Sequence, residues 1–305
     1  MMSINILIGI NKNQDNLFAF GQTDQAKSGM TNSVNLHEVE TKKIHVGDID
    51  IAYKMFGNGN PLLLINGFTA TLDFWDPILL EKLASNHTVI TIDNRGIGNT
   101  TSGNKKFTIT QFANDTFGLL DALKIKKVDV IGWSMGGMIA QELALAHPDN
   151  VGKLIIYAST CGGNETAPPS PEVMNAFENQ SGTQPEREQE LLPLLFPEEW
   201  RTQNPSYLEN LPTTAEIVSD KTVAQQKEAI LTWSGACNQL KNIIQPTLVI
   251  VGTEDVFTPP ANSLLITKNI PGASLVKMEG GGHALSLQYP EKFSKVLSAF
   301  LNEEK

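Results

Sequence analysis

Long apolar runs, clustered basic residues and ordered cysteine pairs are all scarce in this chain. Across its 305 residues no apolar run approaches the ~18 that a membrane span requires, so no span is expected. Lysine and arginine total 23 against 33 aspartates and glutamates, for a formal net charge of -10. No basic stripe forms anywhere, which argues against a nucleic-acid partner. Only two cysteines occur, Cys161 and Cys237. They lie far apart and fit no metal-ligand spacing, so no metal is expected. Two ordinary thiols are the expectation, with a disulfide left open. What the chain does have is 41% hydrophobic residues. That is enough for one large domain, or for a domain carrying an insertion.

The first residues are harder to place. "INILIGI" is short, lacks a preceding positive charge and is interrupted at once by "NKNQDN". A secretory signal has a basic start and a longer apolar core. "LFAFGQ" nonetheless resembles the end of one, so the expected compartment is the cytoplasm, with export from a remnant signal or a misassigned start as the alternative. Residues 1–36 are read as a polar tail, because "GQTDQAKSGMTNSVNL" shows no periodicity.

From Ile44 the pattern becomes regular. "IHVGDIDIAYKMFG" alternates apolar and polar residues around Gly47-Asp48, as a β-hairpin does. Six more runs follow: "PLLLI", "HTVITID", "VDVIG", "KLIIYAS", "TLVIVG" and "SLVKME". Each is short, apolar and rich in β-branched residues, as strands buried on both faces are. Helix-length segments separate most of them, so the fold class is α/β: a mostly parallel, eight-stranded sheet with helices on both faces. One interval breaks the alternation. Residues 162–240 open on "GGNETAPPSP" and continue as short helical stretches without a strand. They are expected to form a helical lid inserted into a core of residues 37–161 and 241–305.

"GWSMGG" carries the chemistry. A lone serine, Ser134, stands among glycines between the end of a strand and the start of a helix. A sharp turn there pushes the hydroxyl up from the sheet, and Gly132 and Gly136 give room where a Cβ would clash. The following helix offers backbone N–H groups to a developing anion. A serine hydroxyl needs a base to take its proton. Of the five histidines, only His283 sits on a glycine-rich loop, "EGGGHAL", just past the last strand. The loops of a parallel sheet that gather at that end form active sites. The imidazole needs a carboxylate, and "VGTEDVFTPP" places Asp255 at the same end, with Glu254 as runner-up. The chain order serine, aspartate, histidine fits this arrangement. Two oxyanion donors complete it: the N–H of Met135, and the N–H of Phe68 in "NGFTA", where Gly67 lets the backbone turn. Trp133 and Phe68 are also candidates to line the substrate entrance.

Together "NGF", "DNRGIGNT", "GWSMGG", "GTEDVFTPP" and "GGGHAL" resemble the α/β-hydrolase family. The likeness runs from about Ile44 to Leu301, and is to its capped branch of small esterases, proline-iminopeptidase-like enzymes and cofactor-free haloperoxidase-like proteins. The resemblance implies a structural role for Asp93 and Arg95, as an internal ion pair. It also exposes a departure: the family usually has histidine where this chain has Asn66. Relatives that open epoxides or remove halogens carry an aspartate nucleophile, so Ser134 argues against both reactions. The expected function is hydrolysis of an ester-like bond in a small to medium, largely uncharged substrate, with no cofactor. An amidase of aminopeptidase type, a C–C hydrolase, an acyltransferase and a perhydrolase use the same three residues. A ligand-binding member of the fold that no longer turns over is the alternative from another class. The only partner expected is the small-molecule substrate. The oligomeric state is left open.

Overall fold

The computed structural model describes residues 6–9, 39–179, 181–212 and 218–303. Nine strands form one sheet: β1 (Ile6–Gly9), β2 (Lys42–Val46), β3 (Ile49–Gly57), β4 (Asn60–Ile65), β5 (His87–Ile92), β6 (Val128–Trp133), β7 (Val151–Tyr157), β8 (Thr247–Gly252) and β9 (Ser274–Met278). Their spatial order is β1-β9-β8-β7-β6-β4-β5-β3-β2. The six from β9 to β5 run parallel, while β3 and β2 continue one edge antiparallel. The eight strands from β2 to β9 are those the sequence pattern marks. The ninth, β1, pairs antiparallel with β9, Ile6 opposite Met278. It falls inside residues 1–36, expected as a tail throughout, so for Ile6–Gly9 that expectation is corrected. The polar stretch 21–36 lies outside the described residues.

The central strands alternate between two cores, which explains their near-continuous apolar sequences. In β4, Leu63 and Ile65 enter one cluster while Leu62 and Leu64 enter the other. The same alternation repeats in β7, with Leu154 and Ile156 against Ile155 and Tyr157. Helices α1 (Pro77–Ala84) and α10 (Pro290–Leu301) cover one face. The other is covered by α2 (Ile109–Ala122), α3 (Met135–Ala146) and α8 (Pro260–Asn269). Each buried strand residue removes apolar surface from water at about 25 cal/mol per Å².

Between β7 and β8 the chain leaves the sheet for α4 (Pro171–Glu178), α5 (Gln184–Leu191), α6 (Glu198–Gln203) and α7 (Asp220–Leu231). At the neck of this insertion Cys161 and Cys237 form a disulfide, Cα to Cα 5.0 Å apart. The expectation of two ordinary thiols is therefore corrected. The separation of 76 positions hides the pairing, because the insertion leaves and re-enters the core at one place.

The "DNRGIGNT" loop is architectural, but its pairing differs from the one expected. Arg95 does not pair with Asp93. Its guanidinium is fully buried and forks onto two other carboxylates, Asp48 at 2.8 and 2.9 Å and Asp115 at 2.6 and 2.7 Å. A buried guanidinium needs such partners to offset its lost hydration. Asp93 instead accepts from the backbone of Leu72 and Asn99, at 2.7 and 2.9 Å. No helix among the described residues is long and apolar enough to cross a membrane.

Candidate active site

Ser134 stands between β6 and α3, at the N-cap of the helix, with a backbone φ of 56°. An ordinary side chain in that left-handed region costs about 1–2 kcal/mol, and the turn is held by crowded neighbours. A Cβ on Gly132 would sit 2.3 Å from the Gly136 carbonyl oxygen, and one on Gly136 would sit 2.1 Å from that of Ile65. Only glycine lets β6, α3 and the end of β4 approach this closely. Hydrogen bonds then fix the turn. Ser134 N–H donates to Tyr157 at 3.0 Å, and Ser159 Oγ donates to the Ser134 carbonyl at 2.7 Å.

Three loops at the carboxyl ends of β6, β8 and β9 bring the expected side chains together. Ser134 Oγ lies 2.9 Å from His283 Nε2. His283 Nδ1 is 3.0 Å from both carboxylate oxygens of Asp255. With Nδ1 donating to Asp255, Nε2 is left as the acceptor for the serine proton. The Asp255 side chain is wholly buried and that of His283 nearly so. The carboxylate is satisfied at every side, accepting from Phe257 N–H, Thr258 N–H and Thr258 Oγ1, each at 2.9 Å. Glu254, the runner-up, is exposed. Of the other histidines, His45 is paired with Asp50, His87 is buried against the Leu83 carbonyl and His147 stacks on Phe117. Burial lowers the His147 pKa below the ordinary imidazole value. His37 lies outside the described residues.

The His283 backbone is anchored as well. The His283 carbonyl accepts from Tyr157 Oη at 2.9 Å and from Trp133 Nε1 at 3.1 Å. Burial pushes the Tyr157 phenol well above its ordinary pKa, so it stays a donor. Trp133, a candidate for the substrate entrance, is buried, and its ring stacks on Phe74 with centroids 5.3 Å apart. Sequence reasoning missed Tyr157, whose ordinary strand context carries no signal of this contact. Phe257 stacks on the imidazole at 4.8 Å.

Facing the serine is the turn after β4. A Cβ on Gly67 would lie 3.2 Å from Ser134 Cβ, so this turn runs close against the serine side chain. Asn66 closes this turn by donating from Nδ2 to the Thr71 carbonyl at 2.6 Å. The departure from the family's usual histidine thus leaves the turn formed. Among the described residues, neither the Phe68 nor the Met135 N–H is hydrogen-bonded within the protein. Phe68 packs its ring edge-on to Phe177 of α4, centroids 5.0 Å apart. No cluster of three or more potential metal ligands occurs among the described residues.

Comparison with known proteins agrees with this architecture. The family model described as alpha/beta hydrolase fold matches residues 60–290. A protein of Azorhizobium caulinodans that carries the name carbamate hydrolase RutD is 32% identical over 262 residues, covering 85% of this chain and 97% of its own. A poly(3-hydroxyalkanoate) depolymerase of Ectopseudomonas oleovorans is 28% identical over 246 residues, 80% of this chain and 85% of that one. Among solved structures, Est816, described as an N-acyl homoserine lactone degrading enzyme, superposes with a TM-score of 0.73 at 29% identity, over 85% of this chain and all of its own. With a parallel sheet, a strained serine turn and this match over most of its length, the chain belongs to the α/β-hydrolase fold family.

Proposed function

We propose that the protein is a serine hydrolase that cleaves an ester-like bond of a small to medium, largely uncharged substrate. The carrying observation is the unbroken chain Ser134 Oγ, His283 Nε2, His283 Nδ1, Asp255, with each link at 2.9 to 3.0 Å. In this reading Ser134 Oγ attacks the carbonyl carbon and its proton passes to His283 Nε2. Asp255 holds the tautomer and stabilises the imidazolium. The negative charge on the carbonyl oxygen is met by the N–H groups of Phe68 and Met135, aided by the N-terminus of α3. Collapse breaks the bond to the leaving alcohol, which takes the proton from His283. Water then attacks the acyl-enzyme, giving its proton to His283, and the acid leaves as Ser134 Oγ is reprotonated.

The relatives' names fit acyl chemistry of this kind: one is named for a carbamate, one for a poly(3-hydroxyalkanoate), one for a lactone. A carbamate substrate is the second reading, favoured by the 32% identical relative, and it uses the same residues. The inserted helices act as the cap that shapes the pocket. The disulfide at its neck supports an oxidising compartment, the export alternative rather than the cytoplasm.

The test is intact mass after a fluorophosphonate probe, with turnover of p-nitrophenyl esters, a lactone and a phenyl carbamate. One adduct, absent in Ser134→Ala, with hydrolysis lowered roughly 10⁴-fold or more in that variant, is expected. Undiminished turnover by Ser134→Ala overturns the assignment.

A further inference from the structure

The Phe68 arm is not held by the core alone. Its next residue, Thr69, has a φ of 57°, a left-handed conformation that a β-branched side chain rarely adopts. Thr69 N–H donates at 2.9 Å to Gln226 Oε1 on α7, a residue 157 positions away in the insertion. The buried face of α7 is Thr222, Gln226 and Ala229, the i, i+4, i+7 stripe that normally carries apolar side chains. Thr222 also reaches the core, lying against the turn at Gly96.

Gln226 is out of character in that stripe. It is fully buried, yet its Nε2 finds no partner. An unpaired buried amide is destabilising, and methionine or leucine would fill the space without that penalty. The side chain is explained by its other end, the oxygen that Thr69 needs. Phe177 of α4 grips the same arm from a second side through Phe68.

We propose that Gln226 is a positioning residue for the oxyanion arm: it acts through Thr69 to hold the Phe68 N–H beside Ser134, so the oxyanion hole is complete only when α7 of the cap lies against the arm. This rests on the serine-hydrolase reading above. Released from Gln226, Thr69 relaxes towards an ordinary backbone conformation, and the peptide before it turns away from the serine. Substrate still enters; the transition state loses a donor.

The experiment is steady-state kinetics with p-nitrophenyl butyrate on the full chain, with thermal unfolding in parallel. Gln226→Met should lower kcat about 10- to 100-fold with KM within about two-fold, since misplacing one donor affects the transition state more than the ground state. Gln226→Asn, one methylene too short to reach Thr69, should do the same and serves where Gln226→Met does not fold. In a Thr69→Gly background the left-handed backbone costs nothing, so the loss from either change should shrink at least about three-fold, the non-additivity expected of coupled residues. An unchanged kcat, a loss confined to KM, or an undiminished loss beside Thr69→Gly overturns the proposal. A wild-type protein that neither labels at Ser134 nor turns over any acyl substrate sinks the parent reading instead.

Discussion

The two halves of the candidate site are supported by different parts of the molecule. Ser134, Asp255 and His283 sit on loops at the ends of β6, β8 and β9, with Tyr157 and Trp133 anchoring the His283 backbone carbonyl from the sheet. The Phe68–Thr69 arm leaves the same sheet but takes its hydrogen bond and its ring contact from α7 and α4. In the proposed mechanism the proton-transfer chain therefore rests on the sheet and its loops. The proposed oxyanion arm draws on the insertion as well, so under that proposal one donor depends on α7 and α4.

The comparison breaks hardest at the carboxylate. Asp255→Asn replaces the anionic carboxylate beside His283 Nδ1 with a neutral amide whose NH2 can favour the wrong tautomer, and should lower kcat about 10³- to 10⁴-fold. Glu254→Gln, on an exposed neighbour, should stay within about two-fold; the reverse order of effects would refute the Asp255 assignment. Against this, the insertion is probed by replacing Cys161 and Cys237 together with alanine. A crosslink across 76 residues contributes about 3–5 kcal/mol in the chain-entropy account, so the unfolding temperature should fall clearly. The folded variant should still take the fluorophosphonate on Ser134. In the parent protein, alkylation after unfolding without reductant should leave both cysteines unmodified; free thiols there would remove the argument for export.

The smallest expected effect concerns acid stability of the core. The Arg95 guanidinium, hydrogen-bonded to Asp48, holds that carboxyl well below the ordinary carboxylate range. A depressed folded-state pKa stabilises the fold at neutral pH, and that contribution fades as pH falls below the ordinary aspartate range. Asp48→Asn should therefore lower stability near neutral pH and flatten the acid limb of an unfolding titration. An acid limb identical to wild type would show that Asp115 alone satisfies Arg95.

Much of the core and its site was legible in the sequence, because both rest on local constraints. Gly132 and Gly136 announce a turn that no other residue permits. Asp255 and His283 follow their strands directly, so their placement needs only the strand order. What escaped depends on contacts between distant segments. Nothing beside Gln226 indicates that its partner is Thr69, and nothing near Cys161 points to Cys237. The family resemblance points Arg95 to Asp93, but it cannot show that the fold brings Asp48 and Asp115, 47 and 20 positions away, to the guanidinium instead. Trp133 stands next to Ser134 in the chain, yet its ring stacks on Phe74 and lies 5.8 Å from the His283 ring. Ile6–Gly9 are too short to stand out from the aperiodic stretch that follows, and their pairing partner, β9, lies at the far end of the chain.

The Cys161–Cys237 crosslink also changes how the molecule meets a protease. Because it ties the insertion shut at its base, a single cut anywhere between the two cysteines severs the backbone without separating the pieces. The fragment carrying Ser134 and the fragment carrying Asp255 and His283 stay one covalent molecule, already joined at the neck where the cap meets the sheet. A nicked copy therefore keeps Ser134, Asp255 and His283 in one covalent molecule for as long as its surroundings remain oxidising, and only a reductant turns the nick into a loss of mass.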